Sequence, residues 1–178
     1  MSTSVLAKPE LRASKPSRTT FVDQPRRPIR IILDAVTGNY NVGALFRLCD
    51  AMLVEQLVIC GPSFELRKRK IIQAAQGTHK WVPWVHLLTA DLGVAEARAN
   101  GYQIVVVELT SASIAPERFV PDFPLCLVIG GERTGVSPKI VREADACLAI
   151  EMHGMANSLN LATATAIVLY EICKHLDT

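Results

Sequence analysis

The sequence predicts an α/β domain, a mainly parallel sheet of about six strands with helices on both faces. Short runs of nearly continuous Val, Ile and Leu alternate along the chain with segments of helical spacing. Such runs suit strands buried on both sides, as in a parallel sheet covered by helices. The 178 residues, 49% hydrophobic and 20% charged, are enough for one sizeable core and few for two.

The elements follow in order. After a Pro-rich stretch, "RIILDAV" (30–36) reads as a buried strand, and 41–52 has helical spacing of Val42, Leu45, Leu48, Cys49 and Met52. "QLVIC" (56–60) is a second strand, 65–76 a basic helix, and "WVPWVH" (81–86) an edge strand broken by Pro83. A helix over 90–100 ends at Gly101, and "QIVVVEL" (103–109) is the next strand. An irregular stretch then leads to "LCLVIG" (125–130), a short helix over 138–144, "CLAI" (147–150) and a closing helix from 158 to about 175.

Charge divides the chain into a basic leader, 1–28, expected to be flexible, and a domain over 29–178. The first 30 residues hold Lys8, Arg12, Lys15, Arg18, Arg26, Arg27 and Arg30 against only Glu10 and Asp23, so the remainder is mildly acidic although the whole chain carries +2. A second basic run, "RKRK" at 67–70, gives another place to hold a polyanion. Arg26, Arg27, Arg67, Lys68, Arg69 and Lys70 are therefore the candidates for contacts to a polyanion. A solvated tail and helix face would show the same charges, and an Arg- and Ser-containing, acid-poor leader also fits a transit peptide, though four prolines break any amphipathic helix there.

Cys49, Cys60, Cys126, Cys147 and Cys173 lack CxxC spacing and sit mostly in apolar runs, as reduced core residues in a reducing cytoplasm would. No stretch has the length of a membrane span. The four histidines show no zinc spacing, so no metal is expected. GxGxxG, the P-loop and GxSxG are all missing, and no carboxylate pair takes glycosidic acid and base roles.

Chemistry is left to three loops that follow strands: "DAVTGNYNVGALFR" (34–47), "GGERTGVSP" (130–138) and "EMHGMANSLN" (151–160). Ligands of parallel α/β sheets bind beyond the strand carboxyl ends, and glycine lets backbone approach a ligand closely. Each loop alone could be a plain turn; three in register are harder to dismiss.

Together, "NYNVGALFRLCDA", "LVIGGERTGVS" and "IEMHGMANSLNLATATAIVLYEI" resemble motifs 1, 2 and 3 of the SpoU (TrmH-type) RNA ribose 2'-O-methyltransferases of the SPOUT superfamily, in order and spacing, over about residues 29–176. The resemblance implies a C-terminal deep trefoil knot, S-adenosylmethionine bound bent within it, and a homodimer whose interface completes the site.

Residue by residue, it implies catalytic roles for Asn41, Arg47, Glu132, Ser158 and Asn160. It places the cofactor against Glu108, Leu109 and Thr110, against Gly130, Gly131 and Gly135, and against Ile150, Met152, Gly154, Ser158 and Leu159. Two departures stand out: Gly131 replaces a common amide residue, and Glu151, expected to face solvent, replaces a usual proline. The implied activity is methylation of a ribose 2'-OH in structured RNA, tRNA favoured over ribosomal RNA. A non-catalytic knotted RNA-binding or chaperone protein is the alternative.

Overall fold

The structure, a computed structural model, describes residues 5, 7–13, 15–21 and 24–176. Its elements are α1 Lys8–Ala13, α2 Arg18–Phe21, β1 Arg27–Asp34, α3 Asn39–Ala51, β2 Val54–Cys60, α4 Arg69–Ala75, β3 Trp84–Leu87, α5 Ala90–Ala99, β4 Gln103–Val107, β5 Leu125–Gly130, α6 Pro138–Glu143, β6 Ala146–Leu148 and α7 Leu161–Lys174.

The strands form one six-stranded sheet in the order β3-β2-β1-β5-β4-β6, every pairing parallel. Alternation within each strand supplies two cores. On one face Ile31 and Leu33 pack with Leu45, Phe46 and Cys49 of α3 and with Val168, Leu169 and Ile172 of α7. On the other, Ile32, Val58 and Val106 meet Ala90, Val94 and Ala97 of α5 and Ile140 of α6. Each fully buried Ile or Leu contributes on the order of 1.5–3 kcal/mol, so the interleaved pattern is the main driving force.

The chain runs outward through β1, β2 and β3, then crosses to the other side of β1. The reversal falls between β1 and β5, whose last residues Asp34 and Gly130 are register partners. That switch point is where a parallel sheet leaves room for a ligand.

Several boundaries differ from the sequence expectation. The closing helix begins at Leu161 rather than 158, because the Asn160 side chain accepts from Ala162 N (3.0 Å) and Thr163 N (3.3 Å) and so caps it. The basic helix is shorter than 65–76; it ends where Gln76 and Gly77 take positive φ of 50° and 94°. β1 starts at Arg27, inside the stretch assigned to the leader. Arg26 donates to Val54 O (3.2 Å) and Trp81 O (3.0 Å), and Arg27 to Cys173 O (3.4 Å), so both half-buried arginines hold the domain together. No helix among the described residues is long and apolar enough to cross a membrane.

Candidate active site at the strand carboxyl ends

Two backbone segments cross closely beyond β5. A methyl group on Gly130 would fall on the backbone of Gly135 and Val136, so only glycine permits the crossing. Gly135 has φ +64° and donates its N–H to Gly131 O at 2.9 Å, closing the loop. The loop is moored on both sides. The buried Asp34 carboxylate accepts from Ser137 N (2.7 Å) and Ser137 Oγ (2.5 Å), and Glu108 accepts from Val136 N and Leu109 N, both at 3.0 Å. Glu108, expected beside the cofactor, therefore spends both carboxylate oxygens on backbone amides. Thr110 N, in the same region, donates to Ser113 Oγ at 2.8 Å, while Leu109 is exposed.

A second network joins all three candidate loops. Asn41 Nδ2 donates to Glu132 Oε1 at 2.6 Å, and Asn41 Oδ1 accepts from Asn160 Nδ2 at 3.0 Å. Because Asn160 Oδ1 also caps α7, a continuous line runs from the β5 loop through the start of α3 to the first turn of α7. Asn41 is buried, and both ends of its amide are satisfied, which holds the group in one orientation. Gly38, one residue before α3, sits against the Glu132 carboxylate; a Cβ there would collide with it.

The remaining candidates lie outside this network. Arg47 is exposed on α3 and lines a pocket of about 220 Å³ with Tyr40, Lys70, Gln73, Ala74 and Gln76. Gly154, Ser158 and Leu159 are exposed on the loop between β6 and α7, with Ile150 and Met152 half-buried at its base. A cleft of about 260 Å³ lies beside that loop, lined by Ala115, Pro116, Glu117, Ile150, Glu151, His153, Ile167 and Glu171. Glu151 faces solvent, 3.9 Å from His153 Nδ1. Arg67, Lys68, Arg69 and Lys70 are exposed, unlike Arg26 and Arg27.

Burial pushes the thiols of Cys49, Cys60 and Cys126 up to about 12, which removes them as nucleophiles. Among the described residues no group of His, Cys, Asp and Glu is placed to hold a metal ion. The sequence reading missed Gly38 and the Asp34–Ser137 link. A buried acid at the end of an apolar strand, in "RIILDAV", was the available signal for the latter.

The model of the SpoU rRNA Methylase family matches residues 28–170. A tRNA (guanosine(18)-2'-O)-methyltransferase of Aquifex aeolicus is 36% identical over 151 residues, covering 84% of this chain and 71% of that protein. The crystal structure of the A. aeolicus TrmH/SpoU tRNA modifying enzyme superposes with TM-score 0.77 at 34% identity, over 88% of this chain and 79% of that one. An AdoMet-bound rRNA methyltransferase from Sinorhizobium meliloti gives TM-score 0.77 at 30% identity, over 83% of this chain and 56% of the other, so the present chain spans little more than half its length. With the family model matched from the start of β1 into α7, and all three motif segments meeting at the switch point, the chain belongs to the SpoU rRNA methylase family.

Proposed function

We propose that the protein is an S-adenosylmethionine-dependent methyltransferase acting on a ribose 2'-OH in structured RNA, with tRNA the favoured substrate and ribosomal RNA the second reading. The observation that carries it is the Glu132–Asn41–Asn160 line, which ties the three motif segments into one rigid unit at the sheet's ligand end. The tRNA preference rests on the A. aeolicus relatives, and the ribosomal reading on the S. meliloti structure.

The residues present fit the cofactor. Glycine-lined backbone at 130–135 and the loop 149–160 offer amides and carbonyls with little side-chain bulk, as recognition of a nucleoside in a snug pocket requires. Gly130, Gly131, Gly135, Ile150, Met152, Gly154, Ser158 and Leu159 would hold it, with Leu109 and Thr110 at the neighbouring strand end. When bound, it supplies a methyl group already activated by a sulfonium.

The chain's own task is to orient the ribose and manage the proton. Glu132 is fixed by Asn41 beside the loop and so stands in one place during the reaction. Arg47, exposed and carrying five donors, suits binding the adjoining phosphate and the developing alkoxide.

A homodimer belongs to the same proposal. Ile167 and Tyr170 are exposed on α7, and Ile167 lines the cleft beside the loop of Ile150 and Glu151, which leaves apolar surface near the site for a second copy. So does the C-terminal trefoil threading: β6 lies at the sheet edge while α7 returns to the α3 face, carrying 149–160 across the strand ends. A cytoplasmic location accords with the thiols, and the leader with its bases is assigned to the RNA backbone. The non-catalytic alternative is disfavoured by the intact Asn41, Arg47, Glu132, Ser158 and Asn160. Transfer of labelled methyl into tRNA and ribosomal RNA, separated after reaction, tests the whole reading.

A further inference from the structure

Two stripes of side chains face each other across α3 and α4. Tyr40, Gly43 and Arg47 lie at i, i+3 and i+7 on one helix, and Lys70, Gln73 and Ala74 at i, i+3 and i+4 on the other. Gly43 makes the approach possible: a Cβ there would stand 2.5 Å from Ile71 O and 2.6 Å from Ala74 Cβ. Beside this contact opens the 220 Å³ pocket that Arg47 shares with Tyr40, Lys70, Gln73, Ala74 and Gln76.

The lining has a division of labour. The side chains of Arg47 and Lys70 make no hydrogen bond or ion pair among the described residues, so two cations of the lining stand open. Tyr40 is 69% exposed, so its ring is open to a planar ligand. Gln76 takes the left-handed conformation at the end of α4, and its Nε2 donates to Gln73 O at 2.7 Å, leaving Oε1 as an oriented acceptor. The Gln73 amide adds a donor and an acceptor side by side, the pattern that reads a base edge. Phosphate suits the paired cations, and a base face suits a tyrosine ring.

We propose that this pocket receives the base and phosphate of the nucleotide to be methylated, with Tyr40 stacking on the base and Gln73 and Gln76 setting which base is accepted. The inference rests on the reading of the chain as an RNA methyltransferase. The basic run at 67–70 then has two parts: Lys70 belongs to the pocket, while Arg67, Lys68 and Arg69 remain available to the wider backbone.

The test is labelled methyl transfer into unmodified tRNA by the full chain and by Tyr40→Ala, Tyr40→Phe and Gln73→Ala, with nucleosides separated after digestion and S-adenosylmethionine affinity measured by calorimetry. Tyr40→Ala should lower kcat/KM for tRNA by about tenfold or more, Tyr40→Phe should restore it, and Gln73→Ala should spread label over additional nucleosides, all with cofactor affinity within about twofold. Wild-type kcat/KM and an unchanged labelled nucleoside in both alanine variants would overturn the proposal and leave the methyltransferase reading standing. If the wild type transfers nothing to any RNA, that reading fails, and titration with guanosine and adenosine 5'-monophosphates followed by NMR decides the pocket. Shifts at the Gln73 and Gln76 side-chain amides would sustain it; silence there would overturn it.

Discussion

The side chains of Asn41 and Asn160, 119 residues apart in sequence, are joined by a 3.0 Å hydrogen bond in which Asn160 donates. Asn41 passes the constraint on to Glu132, and Asn160 passes it to α7. Replacing Asn160 by Ala removes a helix cap and leaves the buried Asn41 oxygen unpaired, so denaturant melts should show a loss of about 2 kcal/mol. Asn160→Asp separates the two roles. Its carboxylate still caps α7, but it faces the Asn41 oxygen as a second acceptor. Stability should return in part, while initial rates of methyl transfer stay low.

The two ends of the glycine series should behave differently. Gly130→Ala drives a methyl into the backbone of Gly135 and Val136 and should cost about 3 kcal/mol, read as a lowered denaturation midpoint. Gly154→Ala meets nothing within 4 Å and should melt like the wild type. Only its cofactor affinity, followed by calorimetry, is expected to fall, since residue 154 lies on the loop assigned to that ligand.

Acid should weaken the fold partly through His79. Burial, with Lys80 nearby, holds this imidazole below its ordinary 6.5, and its Nδ1, near Phe46, is buried without a hydrogen-bond partner among the described residues. Well above pH 6.5 the ring is neutral in both folded and unfolded chains and adds no pH dependence. As pH falls below that value the unfolded chain takes up the proton first, so stability declines until the folded value is passed. His79→Gln should flatten this part of a stability profile measured by urea melts from pH 7 to pH 5.

A cut that keeps Arg26 and Arg27 keeps their bonds to the Val54, Trp81 and Cys173 backbone oxygens, although it removes the Phe21 ring 5.7 Å from the Arg26 guanidinium. Deleting residues 1–24 takes away Lys8, Arg12, Lys15 and Arg18. RNA affinity should weaken, and the slope of log K against log salt should flatten by roughly 0.7–0.9 for each phosphate that the shortened chain leaves unneutralised. An unchanged slope would remove the leader from RNA binding.

The sheet is legible in the sequence because its central strands carry apolar runs such as Ile31–Leu33, Leu57–Cys60, Ile104–Val107 and Leu125–Ile129, a signal that survives without knowledge of its neighbours; β5 stands at 125–130, as its run predicts. Boundaries set by side chains reaching across the fold are not. The start of α7 depends on Asn160 turning back onto its own first turn, and β4 stops at Val107, before Glu108 folds onto Val136 N. The three motif loops stand out in the sequence as a set, yet the line connecting them exists only where residues 41, 132 and 160 come together. Arg26 and Arg27 carried the same charge as the neighbouring bases, and charge alone could not reveal the carbonyls waiting for them. The pocket of Tyr40 and Gln73 was equally hidden, since it exists only where Gly43 lets α4 approach α3.

The most direct measurement is transfer of labelled methyl from S-adenosylmethionine into RNA from cells lacking this gene, beside RNA from intact cells, with tRNA and ribosomal RNA separated and Arg47→Ala as control. Ribose methylation predicts alkali-resistant label in the tRNA of the deficient cells only, and none with Arg47→Ala, whose fold and cofactor affinity should persist because the side chain is exposed and unpartnered among the described residues. No label in either RNA from a folded wild-type protein, or full activity in Arg47→Ala, would contradict the account.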